Sequence, residues 1–241
     1  MLKYLKYPIK VQRKKSYDKI TVQGLNQFKS FNYDVPGDIS SAAFFIVLTL
    51  LSNKSKIIIK NINVNKSRTG IITILNKMGA NIKLRNRKIH NGEKIANIHV
   101  ESKKKLKAIN CSPNLNSSAI DEFLIIFLVA TKAKGISIFK ELGEMNKKES
   151  KRLNLAIKFL KKIGVKVERF KDDIKIYGNP NLKLYKNYEM KNFLKDHRIF
   201  FLSCITALTL GGKWKINDKD SINTSFPNFL KILKNIGAEI N

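Results

Sequence analysis

The chain repeats one pattern three times, and internal repetition constrains a fold more tightly than any single motif. The first copy opens at Asp38 with Asp-Ile-Ser-Ser-Ala-Ala-Phe-Phe-Ile-Val-Leu. It passes through Ile57-Ile-Ile and ends in Ile71-Ile-Thr-Ile-Leu-Asn-Lys-Met-Gly-Ala-Asn-Ile. The second opens at Asp121 with Asp-Glu-Phe-Leu-Ile-Ile-Phe-Leu, passes through Ile136-Ser-Ile-Phe and ends in Ala156-Ile-Lys-Phe-Leu-Lys-Lys-Ile-Gly-Val-Lys-Val. The third opens at Asp196 with Asp-His-Arg-Ile-Phe-Phe-Leu, passes through Lys213-Trp-Lys-Ile and ends in Phe229-Leu-Lys-Ile-Leu-Lys-Asn-Ile-Gly-Ala-Glu-Ile. The opening aspartates lie 83 and 75 residues apart, and the closing glycines Gly79, Gly164 and Gly237 lie 85 and 73 apart.

Each copy reads as helix, strand, helix, strand. The first helix is apolar on nearly every face, which demands a buried position. The second is amphipathic, with Leu153, Ile157, Leu160 and Ile163 at helical spacing in the second copy. The glycine after it suits a left-handed C-cap, and the alternation that follows suits a strand. The expected architecture is an α/β repeat around buried central helices. No G-x-G-x-x-G, P-loop, H-E-x-x-H or G-x-S-x-G signature is present. The opening Met1-Leu-Lys-Tyr-Leu resembles the tail of an amphipathic helix, and Val11 and Ile20-Thr-Val read as strands. The chain thus reads as starting in mid-unit. A half-unit cannot bury its apolar face alone, so the expectation is a truncated chain or a partner that supplies the rest.

The apolar runs Ala42–Leu51 and Phe123–Ala130 fall far short of the roughly 20 residues that cross a bilayer, and lysines break the N-terminus too often for a signal peptide. The reading is a soluble cytoplasmic protein with no membrane partner. Cys111 and Cys204 are too few for a disulfide framework or a metal site. The formal net charge of +29 favours anionic partners. A basic nucleic-acid-binding module is one such reading. Against it, the lysines are spread along the whole chain among abundant Asn and Ile, tracts such as Lys103-Lys-Lys are short, and there is no stacking motif.

The chemistry-bearing residues gather where helices begin. Asp38 or Ser40 can cap the first buried helix, whose free N–H groups would also form an anion site. Ser118 with Asp121 reads as a capping-box start, and Asp121 at the rim of an apolar helix is a candidate general base. Asn146 can cap the next helix with Glu149 returning the bond. That leaves Lys148 and Arg152 unexplained, since cations in a first turn oppose the helix dipole. Arg198, beside Asp196 and His197, repeats the anomaly. Two explanations stand side by side: both arginines face an anion such as phosphate or carboxylate, or each pairs with a nearby acid in its own turn.

Taken in order, Pro36-Gly-Asp-Ile-Ser-Ser-Ala-Ala-Phe-Phe, Ser67-Arg-Thr-Gly-Ile-Ile, Ile120-Asp-Glu, Lys148-Glu-Ser-Lys-Arg152, Asp196-His-Arg and Ser225-Phe-Pro resemble the C-terminal half of the EPSP synthase (3-phosphoshikimate 1-carboxyvinyltransferase) family. The resemblance implies an inside-out α/β barrel of helix–strand units, one domain of an originally two-domain enzyme. Residues 36–241 would be the three-repeat domain, and residues 1–35 the tail of the missing half. It implies transfer of the enolpyruvyl group of phosphoenolpyruvate to the 5-hydroxyl of shikimate 3-phosphate, a step towards chorismate and the aromatic amino acids, without metal or organic cofactor. It also implies roles: Asp121 as proton acceptor at the hydroxyl and Glu149 for proton exchange at the methylene carbon. Lys148 would hold the shikimate ligand, Arg152 and Arg198 would clamp phosphoenolpyruvate, and His197 and Asp196 would stand beside that clamp. Lys151 departs from the acidic or small residue usual at its position, and Thr224 stands near where some members carry a further lysine. The family's N-terminal contacts are absent, so no turnover is expected of this polypeptide alone. The related transferase acting on UDP-N-acetylglucosamine is the neighbouring alternative, which the Lys-Glu-Ser and Asp-His-Arg stretches disfavour. A degenerate, inactive half-protein is another.

Overall fold

Local chemistry turns each repeat into the same run of elements. The computed structural model describes every residue except 1, 3, 26, 28, 29, 103, 104 and 241. An antiparallel ribbon of β1 (Ile9–Arg13) and β2 (Asp18–Val22) comes first. The first unit follows as α1 (Ile39–Leu51), β3 (Lys56–Asn63), α2 (Gly70–Lys77) and the hairpin β4 (Asn81–His90) and β5 (Glu93–Glu101). β6 (Asn110–Cys111) and the short α3 (Asn116–Ala119) lead into α4 (Phe123–Lys132), β7 (Gly135–Phe139), α5 (Arg152–Lys162), β8 (Val167–Phe170) and β9 (Asp173–Gly178). The third unit is β10 (Leu184–Met190), α6 (His197–Leu210), β11 (Gly211–Ile216) and α7 (Phe229–Asn235).

The apolar helices α1, α4 and α6 contact one another at the centre, as their lack of a polar face requires. Phe44 meets Phe201 with ring centroids 4.9 Å apart, and Phe201 meets Phe229 at 4.4 Å. Each fully buried Phe or Leu of this kind contributes on the order of 2 kcal/mol. Sheets of order β3-β5-β4, β6-β7-β9-β8 and β10-β11 are built around the helices. In every unit the segment just before the buried helix pairs in parallel with the strand just after it: Gly37 with Ile62, β6 with β7, and β10 with β11. Each buried helix is therefore the crossover of a β-α-β unit.

The closing glycines take positive φ, 90° at Gly79, 78° at Gly164 and 98° at Gly237. At each, the following N–H reaches back to the last turn: Ala80 to Leu75, Val165 to Leu160 and Ala238 to Leu233. That is a Schellman closure repeated three times, and glycine is the residue that adopts it without a Cβ penalty.

Four local expectations need correction. Residues 238–240 form no strand, so the third unit lacks the final strand read from its sequence. Tyr4–Lys6 form a turn rather than a helix end; positions 1 and 3 of that reading, like Lys103 and Lys104 of the basic tract and Asn241, lie outside the described residues. The Ser118–Asp121 capping box does not form: α4 starts at Phe123 without a side-chain cap, and Ser118 Oγ donates to Leu115 O instead. α5 starts only at Arg152, with Lys148 still in extended backbone.

Candidate active site

The amino ends of α1, α4 and α6 converge at one end of the molecule. Asp38 caps α1, its carboxylate accepting from the Ser40 and Ser41 N–H groups at 3.1 and 2.8 Å. Asp196 caps α6 in the same way, accepting from Arg198 and Ile199 N–H at 2.9 and 3.4 Å. At the start of α4 the pattern breaks. Asp121 makes no cap and turns its carboxylate towards cations.

Four cations meet it. Arg68 Nη1 lies 3.1 Å from Asp121 Oδ2, Lys148 Nζ 3.3 Å and Arg152 Nη1 3.5 Å from Oδ1, and Arg198 Nη2 3.9 Å from Oδ2. Arg198 Nη1 also donates to the Asp121 main-chain oxygen at 2.8 Å. Burial alone would push the Asp121 carboxyl up, but the charges of Arg198, Lys148 and Arg68 together outweigh it and hold the group below the usual carboxylate range. Asp121 is therefore ionised at neutral pH and belongs to this cluster rather than to a helix cap. Lys148, Arg152 and Arg198, separated by up to fifty residues of sequence, are thus brought together on one carboxylate.

The two arginines differ in how they are held. Arg152, whose side chain is 2% exposed, donates from Nε to Asp196 Oδ2 at 3.1 Å, and its Nη2 lies 2.6 Å from Glu149 Oε2. Pairing with acids thus accounts for Arg152, both within its own turn through Glu149 three residues before it and across units through Asp196. Arg198 is largely buried, and its Nε finds no hydrogen-bond partner among the described residues. Burial, and secondarily the neighbouring Arg152, pull its proton affinity down while Asp121 pulls it up. An orphaned guanidinium N–H in a buried cluster is rare enough in folded proteins to point to a ligand or water.

The remaining expected residues have these places. Asp196 has a side chain only 1% exposed. Its oxygens are taken up by Ser150 Oγ at 2.5 Å, Arg152 and the two capped N–H groups, so it holds Arg152 and the helix start rather than facing a ligand. Glu149 is exposed and reaches Arg152 instead of closing a capping box. Asn146 does cap α5, but from a distance, accepting from Leu153 and Asn154 N–H at 3.1 and 3.3 Å. His197 packs edge-on to Phe201 at 5.9 Å, and burial, with Arg198 beside it, holds its ring below the usual histidine range. Lys151 and Thr224 are exposed.

Three members of the cluster, Arg68, Glu122 and Ser150, were given no role from sequence, and a fourth, Ser40, was read only as a possible helix cap. Arg68 stands just before α2 and Arg152 opens α5, so aligning the repeats would have marked it. The others reveal themselves only through partners in another unit. Ser40 Oγ donates to Glu122 Oε1 at 2.5 Å and accepts from Arg68 Nη2 at 2.9 Å.

The family model for EPSP synthase (3-phosphoshikimate 1-carboxyvinyltransferase) matches residues 1–233. The chain belongs to the EPSP synthase family. Among curated EPSP synthases, that of Vesicomyosocius okutanii is 39% identical over 240 residues, covering 100% of this chain and 53% of the relative. That of Bacillus pumilus is 36% identical over 212 residues, 88% of this chain and 49% of the relative. The solved EPSP synthase of Acinetobacter baumannii superposes with a TM-score of 0.87 at 30% identity, over 97% of this chain and 52% of that one. The enolpyruvyl transferase NikO of Streptomyces tendae shares the fold, with a TM-score of 0.74 at 13% identity. This chain spans about half the length of the EPSP synthases it matches. Among the described residues, no helix is long and apolar enough to cross a membrane.

Proposed function

We propose that this chain supplies one wall of an enolpyruvyl-transfer site, in which the enolpyruvyl group of phosphoenolpyruvate passes to the 5-hydroxyl of shikimate 3-phosphate in the cytoplasm. The observation that supports it best is the convergence of Arg68, Lys148, Arg152 and Arg198 on Asp121. Two polyanionic substrates need this density of cations. Arg198, with an N–H to spare, and Lys148, part-exposed, have donors to offer a phosphate or carboxylate.

The chemistry is an addition followed by an elimination. The hydroxyl oxygen bonds to the enol carbon while its proton passes to Asp121, and the methylene carbon gains a proton from Glu149. Loss of a proton from the resulting methyl group to Glu149 then restores the double bond as the phosphate leaves. Glu149 suits a carbon-directed proton exchange because it is exposed on the cluster's rim and tethered by Arg152. Lys148 and Arg198 hold the substrate anions, Arg152 contributes charge from below, Asp196 keeps Arg152 in place, and His197 stands at the edge of the clamp. No metal or organic cofactor enters these steps.

The domain reading belongs to the same proposal. Residues 36–241 form the three-repeat domain. Residues 1–35 belong to a neighbouring body, supported by the ribbon β1–β2, in which Ile9 alone is even partly buried. A two-stranded ribbon is marginal by itself. The rest of the site comes from the family's other half, whose groups around the reacting atoms lie outside these 241 residues, and turnover needs both halves.

The test combines this chain with the N-terminal half of the Vesicomyosocius okutanii relative and follows phosphate release from shikimate 3-phosphate and phosphoenolpyruvate. Release is expected only from the combined halves, and Asp121→Ala or Glu149→Ala should each suppress it strongly. Associated, folded halves that release no phosphate, or that turn over only a UDP-sugar, would overturn the reading.

A further inference from the structure

Glu122 follows Asp121 directly yet has no part in the steps above. It is 2% exposed, and burial pushes its carboxyl above the usual range against the weaker opposing pull of the Ser40 hydrogen bond and the charges of Arg198 and Arg68. An acid at that depth is costly unless its hydrogen bonds are satisfied. One of its oxygens receives the Ser40 hydroxyl proton. A hydroxyl has one proton to give and lone pairs to offer, so committing the proton to Glu122 leaves the Ser40 oxygen free to accept from Arg68 Nη2 at 2.9 Å.

Arg68 needs such a hold. It lies in the loop before α2, its side chain is 43% exposed, and an arginine carries about 2 kcal/mol of rotamer entropy. Among the described residues its side-chain hydrogen bonds go to Ser40 and Asp121. The neighbouring seam has the same ingredients: Ser150 and Arg152 both reach Asp196, again a hydroxyl, a guanidinium and a buried acid.

We propose that Glu122 and Ser40 are positioning residues which, through the chain Glu122–Ser40–Arg68, hold the Arg68 guanidinium against Asp121 and so set the cationic surroundings of that carboxylate. The functional consequence rests on the reading of Asp121 as proton acceptor; the positioning itself does not.

The experiment therefore uses the chain as it is, without substrates. Side-chain carboxyl signals of 13C-labelled aspartate are followed by NMR against pH, with Asp121 assigned through its loss in Asp121→Asn. The groups facing Asp121 are Arg68, Lys148, Arg152 and Arg198; those facing Glu122 are Ser40, Arg68, Arg198 and Asp121. Arg68→Leu should raise the Asp121 midpoint and sets the full effect. Ser40→Ala should raise it by most of that amount, and by nothing further in the Arg68→Leu background. Glu122→Leu and Glu122→Gln remove the same charge, but only the amide keeps an acceptor for Ser40, so the Leu variant should titrate higher than the Gln variant. An unmoved midpoint in Ser40→Ala, or a shift in it that survives loss of Arg68, sinks the proposal. Ser40→Ala decides the matter should Glu122→Leu not fold. Missing turnover in the combined halves, with these shifts present, would reject the reaction and leave the positioning intact.

Discussion

Asp196→Ala separates a residue that holds the site together from one that faces a ligand. Asp196 and Arg152 form an ion pair at 3.1 Å with side chains 1% and 2% exposed. Removing one partner of a buried pair typically costs about 3–5 kcal/mol, because the other charge is left uncompensated. Arg152 keeps Glu149 at 2.6 Å and Asp121 at 3.5 Å, which places the loss near the lower end, ~3 kcal/mol. The carboxylate also caps α6, worth ~1 kcal/mol. The expected total is about 4 kcal/mol, a large part of the 5–15 kcal/mol that holds a typical domain together. Urea unfolding followed by the fluorescence of Trp214, the single tryptophan, stacked on Tyr188 at 4.7 Å, should show the midpoint falling by about 1–2 M. Asp196→Ser retains a capping oxygen and should recover ~1 kcal/mol. Arg152→Met combined with Asp196→Ser leaves no buried charge unpaired and should be less destabilised than Asp196→Ser alone. A loss below about 1 kcal/mol for Asp196→Ala, or a double variant that simply adds the two single losses, would refute the account of a buried, mutually dependent pair.

Two further outcomes follow from the same geometry. Asp38→Ala removes the acceptor for two N–H groups and the Ser41 hydroxyl at the start of α1 and should cost ~1 kcal/mol in the same urea assay, with Asp38→Asn close to the parent. The carboxyls also predict opposite pH dependences. Asp121 and Asp196 are both held below the usual range in spite of burial, so the stability they contribute is complete above pH ~4 and is lost as pH falls through their folded values. Burial raises Glu122, so its contribution is complete below pH ~4.5 and is lost as pH rises through its folded value. Midpoints measured from pH 5 to 8 should therefore shift in favour of Glu122→Gln as pH rises; a constant gap would contradict the raised carboxyl.

Repetition made the fold legible. Three apolar segments required three buried helices, and three glycines in register marked where the amphipathic helices close. Val11 and Ile20-Thr-Val fall within the ribbon strands. The site was half legible. Arginines placed against a helix dipole do mark the cluster, and Arg198 keeps a donor free. Arg152, marked by the same anomaly, is satisfied by Glu149 in its own turn, which the sequence offered, and by Asp196 on another unit, which it could not reveal. The capping patterns also misled: tertiary charge prevailed at Asp121, a neighbouring arginine claimed Glu149, and Ser118 turned to the Leu115 carbonyl. A cap contributes ~1 kcal/mol, whereas Asp121 finds four cations and Glu149 an arginine. Ser40 and Glu122 lie 82 residues apart and Arg68 and Asp121 53, so no window of sequence contains either bond.

Ser40, Asp121 and Arg198 are mounted at the tips of the same rods whose shafts make up the hydrophobic interior. α6 has 14 residues, or about 21 Å at 1.5 Å per residue. Pivoting such a rod by some 5° about its far end would swing Arg198 by about 2 Å, more than the margin between a bound and a broken hydrogen bond. A methyl group deleted around Phe201 or Phe44 would then be felt at Asp121 through leverage, with no altered residue near it. Alignment at the rim is in this sense inherited from the tightness of the oil-filled middle.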